Sequence, residues 1–267
     1  MFAGKFRIEE ASTDTKAVCD RTEWDGLLEC SNILIYAKND TQSFSTRYAE
    51  AVAIAPDLQD DWSIMAGIMT VTETQATHDK IYVRLYGSHK NMNVYYDEIS
   101  IKPLPRMCDN LVLNGDFESG DSRFWLPSDR RDIDVDISNI GANNSNYSMR
   151  IHKYTTDRLR QHLDTRCLTE GQEFLISAKF RLVSSTDDTI GMTCIPSILS
   201  ETNSDACPAV TIRGRDCVGD DLTYVFWNEK NDPWNENDFN DYEKVYTVGA
   251  EMATCQVSST TLIYSIA

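Results

Sequence analysis

The sequence predicts an all-β chain built from tandem β-sandwich modules, and three observations carry that prediction. First, apolar and polar residues alternate with period two over Phe174–Leu182, Ile81–Leu85 and Asp132–Ile137, the pattern of strands with one face in a core. Second, no run sustains the 3.6-residue period of an amphipathic helix. Third, the chain repeats itself, and a repeat dictates architecture before any single element does.

The repeat is read residue by residue. Gly4-Lys5-Phe6-Arg7-Ile8 matches Ala178-Lys179-Phe180-Arg181-Leu182, and Ser12-Thr13-Asp14 matches Ser185-Thr186-Asp187 with one residue of slippage. Cys19 then falls opposite Cys194, Cys30 opposite Cys207, Asp61-Trp62 opposite Asp241-Tyr242, and Ile81–Tyr86 opposite Leu262–Ala267. The displacement drifts from 174 to 181 along these landmarks, as small loop insertions require. The expected division is residues 1–105, the C-terminal portion of a first module, and residues 108–267, a second module without its last strand. Met92–Lys102 is the last strand of copy one and has no counterpart in copy two. The pattern reads as a window on a longer tandem array with neighbouring modules, or as a short protein whose two halves supply each other's missing edges.

Between the strands, Gly141–Asn146, Ser184–Asp188 and Asn231–Asn237 are rich in Asn, Asp, Ser, Gly and Pro and read as loops. Asp132, Asp134 and Asp136 share one strand face. They lack the glycine and terminal glutamate of an EF-hand loop, so a solvated face is expected there.

Composition excludes whole classes of function. With 25 Lys+Arg against 42 Asp+Glu, the net charge of −17 opposes nucleic acid and anionic lipid surfaces. The 41% hydrophobic content opposes disorder, and no apolar run approaches the roughly 18 residues of a spanning helix. No Gly-x-Ser-x-Gly elbow, His-Glu-x-x-His helix or phosphate loop is present. With 42 acids, adjacent carboxylate pairs arise by composition alone, so the chain is expected not to be an enzyme.

Asn110–Glu118 (Asn-Leu-Val-Leu-Asn-Gly-Asp-Phe-Glu), then Ser119-Gly120 and Phe124-Trp125, resembles the opening of CenC-type (family 4/9-type) carbohydrate-binding modules. Asn146–Ile151, Leu159–Leu163 and Gly171–Phe180 resemble that family's later strands in order, and Val94–Ser100 in copy one resembles its closing strand. The resemblance implies a galactose-binding-like jelly roll that binds polysaccharide without catalysis. It also implies structural calcium held by Glu118 and Asp97, one from each copy, and no other cofactor. The companion readings are a wall-associated or adhesive spacer and an accessory region of a glycoside hydrolase.

Eight cysteines with no Cys-x-x-Cys favour disulfides over zinc, and so a secreted or cell-surface protein. Equivalent repeat positions pair Cys19 with Cys30 and Cys194 with Cys207. Cys108 and Cys167 flank the opening and Gly171 strands and form a third pair, which leaves Cys217 with Cys255. Asn39, Asn143 and Asn146 begin N-glycosylation sequons. Sugar sites combine aromatic platforms with polar partners. The segment 220–239 has that composition, making Tyr224, Trp227 and Trp234 candidate platforms, with Arg158 and Gln161 as cleft polar groups. Trp125 joins them, although its place after the opening motif matches a family position that usually packs in the core.

Overall fold

A computed structural model describes residues 1–17, 31–41, 46–52, 62–86, 92–127, 135–151, 159–184, 186–187, 189–199, 206–227 and 234–263. Among the described residues the chain is all-β apart from a four-residue helix and two single 3-10 turns. It divides into two compact units, Met1–Ile151 and His152–Ala267. This division follows packing and falls at a different place from the division by sequence repeat.

The first unit holds β1 (Phe2–Glu10), β2 (Asn32–Lys38), β3 (Thr46–Val52), β4 (Ser63–Gly67), the short helix α1 (Glu73–Ala76), β5 (Lys80–Tyr86), β6 (Met92–Ile101), β7 (Leu126–Pro127), β8 (Val135–Ser138) and β9 (Ser148–Ile151). Two three-stranded antiparallel sheets, in the orders β4-β1-β6 and β3-β2-β5, make its sandwich. On β1, Phe2, Phe6 and Ile8 face inward and join Ile33, Ile35, Ala51 and Met65 in one buried cluster. The single helical turn was not anticipated. Its signal is a capping box, in which Gln75 N donates to Thr72 Oγ1 (3.2 Å) and Thr72 N to Gln75 Oε1 (3.0 Å).

The second unit holds β10 (Leu159–Leu163), β11 (Glu173–Phe180), β12 (Ala209–Arg215), β13 (Leu222–Trp227), β14 (Asn240–Thr247) and β15 (Val257–Ile263). Within it β13, β12, β15 and β10 are hydrogen-bonded neighbours in that order, and β11 pairs with β14. Phe180, Val210, Trp234 and Tyr242 meet between these layers with Phe226 and Ile176. Phe180 and Tyr242 sit edge to face at 5.8 Å, an arrangement favoured by the ring quadrupoles.

The repeat is visible in the hydrogen bonding. Asn32 pairs with Tyr86 on β2 and β5 as Ala209 pairs with Ile263 on β12 and β15, so 32 maps to 209 and 86 to 263 at one displacement of 177. The order β3-β2-β5 recurs as β13-β12-β15, and the pair β4-β1 as β14-β11. This corrects one part of the sequence alignment. The counterpart of β5 is β15, residues 257–263, not residues 262–267, because cross-strand register outweighs a short resemblance between apolar segments.

Two of the expected disulfides, Cys194–Cys207 and Cys217–Cys255, are formed. Cys108 and Cys167 are each disulfide-bonded as well. Cys19 and Cys30 lie outside the described residues. Gly214 packs against the Cys217–Cys255 bridge so closely that a Cβ would collide with Cys255 Sγ and lie 3.1 Å from Cys217 Sγ.

Candidate functional site

Cross-strand register sorts the second unit's side chains into two faces, because residues directly opposite one another in antiparallel strands project to the same side. Val210, Ile212, Tyr224 and Phe226 share the core face with Leu159, Gln161 and Leu163. The other face carries Arg160 and His162 on β10, Thr211 and Arg213 on β12, and Trp227 at the end of β13. His162 and Arg213 both pair with Ser259, and Arg160 and Thr211 both pair with Thr261. Each pair is therefore level across the sheet, two strand spacings or roughly 10 Å apart. Arg160, His162, Arg213 and Trp227 are half-buried and Arg215 is exposed. This outer face is where partly accessible hydrogen-bonding groups and an aromatic ring occur together.

The candidates read from the sequence separate on this geometry. Trp227 lies on the outer face. Tyr224 lies on the core face, its ring 5.8 Å from that of Tyr246. Trp234 is 9% exposed and belongs to the buried cluster, so it offers no open platform. Gln161 is fully buried on the core face of β10. Alternation on β10 decides this, since a residue between Arg160 and His162 must face the other way. Arg158 lies outside the described residues. Trp125, 2% exposed, packs at 5.7 Å against Phe117 and donates from Nε1 to Asn114 O (3.0 Å), as a core residue does.

The motif that carries the family resemblance is a structural lock. Asn114 Nδ2 donates to Asp121 O (2.9 Å) and its Oδ1 accepts from Ser119 Oγ (2.7 Å). Asp121, almost fully buried, accepts from Arg123 N and Nε. The Glu118 carboxylate accepts from Ser145 Oγ, Asn146 N (2.9 Å), Asn146 Nδ2 (2.9 Å) and Tyr147 N (3.3 Å). These donors hold its pKa below the ordinary glutamate value, the Ser145 and Asn146 side chains contributing most.

Calcium was expected at Glu118 and Asp97, and the residues present do not fit it. The Glu118 oxygens are ringed by N–H and O–H donors whose protons occupy the positions a cation would need, and Asp97 Oδ1 accepts from Glu98 N (2.7 Å). No group of three or more His, Cys, Asp or Glu able to hold a metal occurs among the described residues. Asp136 is ion-paired with Arg150.

The sequons differ in the same way. Asn143 is exposed at the tip of the β8–β9 hairpin, where Asn143 and Asn144 both have positive φ and Ser145 N donates to Ala142 O (2.8 Å). These are the features of a type I′ turn. Asn146 commits its Nδ2, the atom a glycan would join, to Glu118. Asn39 is half-buried just after β2.

The corresponding face of the first unit was missed in the sequence. Residue 36 is the counterpart of 213 at the displacement of 177, and Tyr36 pairs with Tyr82 across β2 and β5. Arg84 lies over the Tyr36 ring, 4.6 Å from its centroid, a cation–π contact. The alternation Ile35-Tyr36-Ala37-Lys38 would have revealed this face, with Ile35 and Ala37 inward.

Fold and face together define a two-unit β-sandwich protein with a polar, aromatic-edged sheet surface. No protein-family model matches the chain, and no curated protein matches it. Among solved structures, one similar to it is the N-terminal CBM22-1-CBM22-2 tandem domain of Paenibacillus barcinonensis Xyn10C. The TM-score is 0.39 at 11% identity, over 100% of this chain and 71% of that one. At that level the likeness says nothing of this chain's ligand.

Proposed function

We propose that the chain binds polysaccharide without catalysis, through the outer sheet faces of its β-sandwiches. One observation supports the reading most. On the second unit, Trp227 stands opposite Ala209 at one corner of the sheet face that also carries Arg160, His162, Thr211 and Arg213, so one surface offers both an apolar ring and hydrogen-bonding groups. Sugar rings present apolar C–H faces edged with hydroxyls, and this arrangement complements both. Tyr36 and Tyr82 give the first unit a face of the same kind with a different composition. The modules proposed are those of the repeat, residues 1–105 and 108–267, in a secreted protein.

The test is affinity electrophoresis of the full chain through gels containing soluble glucans, xylans or other plant and microbial polysaccharides. Retardation by at least one polymer is expected, reduced about tenfold in apparent affinity by Trp227→Ala with the circular dichroism spectrum unchanged; a loss of this size matches the ~1.4 kcal/mol of one lost ring contact. Wild-type mobility unaffected by the whole panel favours a spacer role instead. Reducing-sugar release that persists through purification overturns the non-catalytic reading.

A further inference from the structure

The described strand residues on the outer face of the second unit carry a charge opposite to that of the protein. Register places 13 residues of β10, β12, β13 and β15 on this face, two, four, three and four of them respectively. With 42 acidic and 25 basic residues in a chain of 267, about two carboxylates and one cation would fall among 13 positions by composition. Among the described strand residues the face carries three arginines, Arg160, Arg213 and Arg215, and no carboxylate. Asp164, the next residue of that parity on the β10 side, lies beyond the strand and is bound to Arg166.

A second, independent observation lies at the centre of the patch. Thr211 is fully buried on this face, level with Arg160 and two residues from Arg213, and its Oγ1 has no hydrogen-bond partner among the described residues. An unsatisfied buried hydroxyl is costly, and an ordered ion or water commonly accounts for one. His162 experiences the same positive field. Its pKa is pushed down to about 4, by burial first and then by Arg160 and Arg215, so near neutral pH it presents a neutral imidazole to a ligand.

We infer that this face selects an acidic polysaccharide, the anionic group of a sugar residue docking among Arg160, Arg213 and Arg215 with Thr211 beneath it and the sugar ring reaching toward Trp227. Guanidinium groups suit this task because their planar fork matches the two oxygens of a carboxylate or sulfate. The inference rests on the polysaccharide reading above and adds the charge of the ligand. The chain as a whole carries −17 and repels polyanions, so binding is expected only at this patch.

The experiment compares the full chain on polygalacturonate, a heparin-type sulfated glycan and a neutral xylan in affinity gels, with calorimetry on oligosaccharides of each. At least one polyanion is expected to bind about tenfold or more tightly than the neutral polymer, with an advantage that shrinks as salt is raised. Which polyanion wins distinguishes carboxylate from sulfate recognition. In Arg160→Gln/Arg213→Gln the ratio of anionic to neutral affinity falls toward one. Arg215→Gln, an exposed substitution that leaves packing intact, lowers the same ratio about threefold and serves if the double variant does not fold. Equal affinity for neutral and acidic polymers overturns this inference and leaves the polysaccharide reading standing, as does a ratio that none of these variants changes. Binding to no polymer overturns both.

Discussion

The two units repeat one set of strands but fill their edges differently. In the first unit β1 is flanked by β4 and β6; in the second its counterpart β11 pairs with β14 alone among the described residues. Conversely β15 has β10 beside it, whereas its counterpart β5 has β2 alone among the described residues. The consequence is visible on β5. Ile81, Val83 and Leu85 share the core face with Ile33, Ile35 and Ala37, yet they are 53%, 41% and 41% exposed. A repeated strand pattern therefore specifies pairing register but not burial. Burial depends on whether a neighbouring strand continues the layer.

The same contrast extends to single positions, and it can be tested from the largest effect downward. Trp234→Ala should destabilise the second unit by about 3–5 kcal/mol through the cavity it leaves. Denaturation followed by fluorescence measures this, and a loss below 1 kcal/mol would mean that Trp234 is an exposed platform after all. Opening Cys217–Cys255 with a double serine variant should cost about 3–4 kcal/mol, more than opening Cys194–Cys207. The first closes 38 residues of chain and the second 13. Equal losses would show that strain, not chain entropy, dominates.

Gly214 and its counterpart Ala37 make a sharper comparison, because the first unit has no disulfide at this position among the described residues. Gly214→Ala should cost about 1–3 kcal/mol through collision with the bridge. Ala37→Gly should cost about 0.5–1 kcal/mol through backbone entropy alone. Two melting curves per variant decide it, and a stabilising Gly214→Ala would contradict the close packing described.

His162 gives the second unit a pH dependence. Its folded pKa of about 4 lies below the unfolded value of 6.5, so between these values the unfolded chain binds the extra proton. Its contribution is complete above pH 6.5 and is lost as pH falls toward 4, by about 2 kcal/mol after allowance for its partial exposure. His162→Gln should flatten that part of the stability profile.

Glu118, in the first unit, acts through the opposite charge with the same outcome. Its folded pKa lies below the unfolded one, so its contribution is present above the unfolded value and is lost as pH falls through the folded value. Being exposed, it should matter least: Glu118→Gln is expected to lower the melting temperature by a few degrees and to loosen the β8–β9 turn, read as faster amide exchange at Asn146 and Tyr147.

Much of this was legible in the sequence and some was not. Alternation predicted the two faces of β8 and β11, because a strand offers only two sides. The repeat predicted Cys194–Cys207 correctly and misaligned β15, because a few apolar residues in a row match several registers equally well. The Trp-rich segment was read as a surface loop, whereas Trp234 entered the core and Trp227 stayed on the outer face. Composition alone could not separate them, since both stand among polar residues. Tyr36 and the arginine face went unnoticed because their members lie far apart in the chain and meet only through register.

The sequence by itself determined the all-β class, the tandem repeat and the net negative charge, since each depends on local periodicity or on sums over residues. The tertiary structure alone decided which aromatics are buried, which carboxylates are already satisfied by donors, and which arginines share a face. Those depend on which strands become neighbours, and that is decided by cross-strand hydrogen bonding and the packing of layers, not by proximity along the chain.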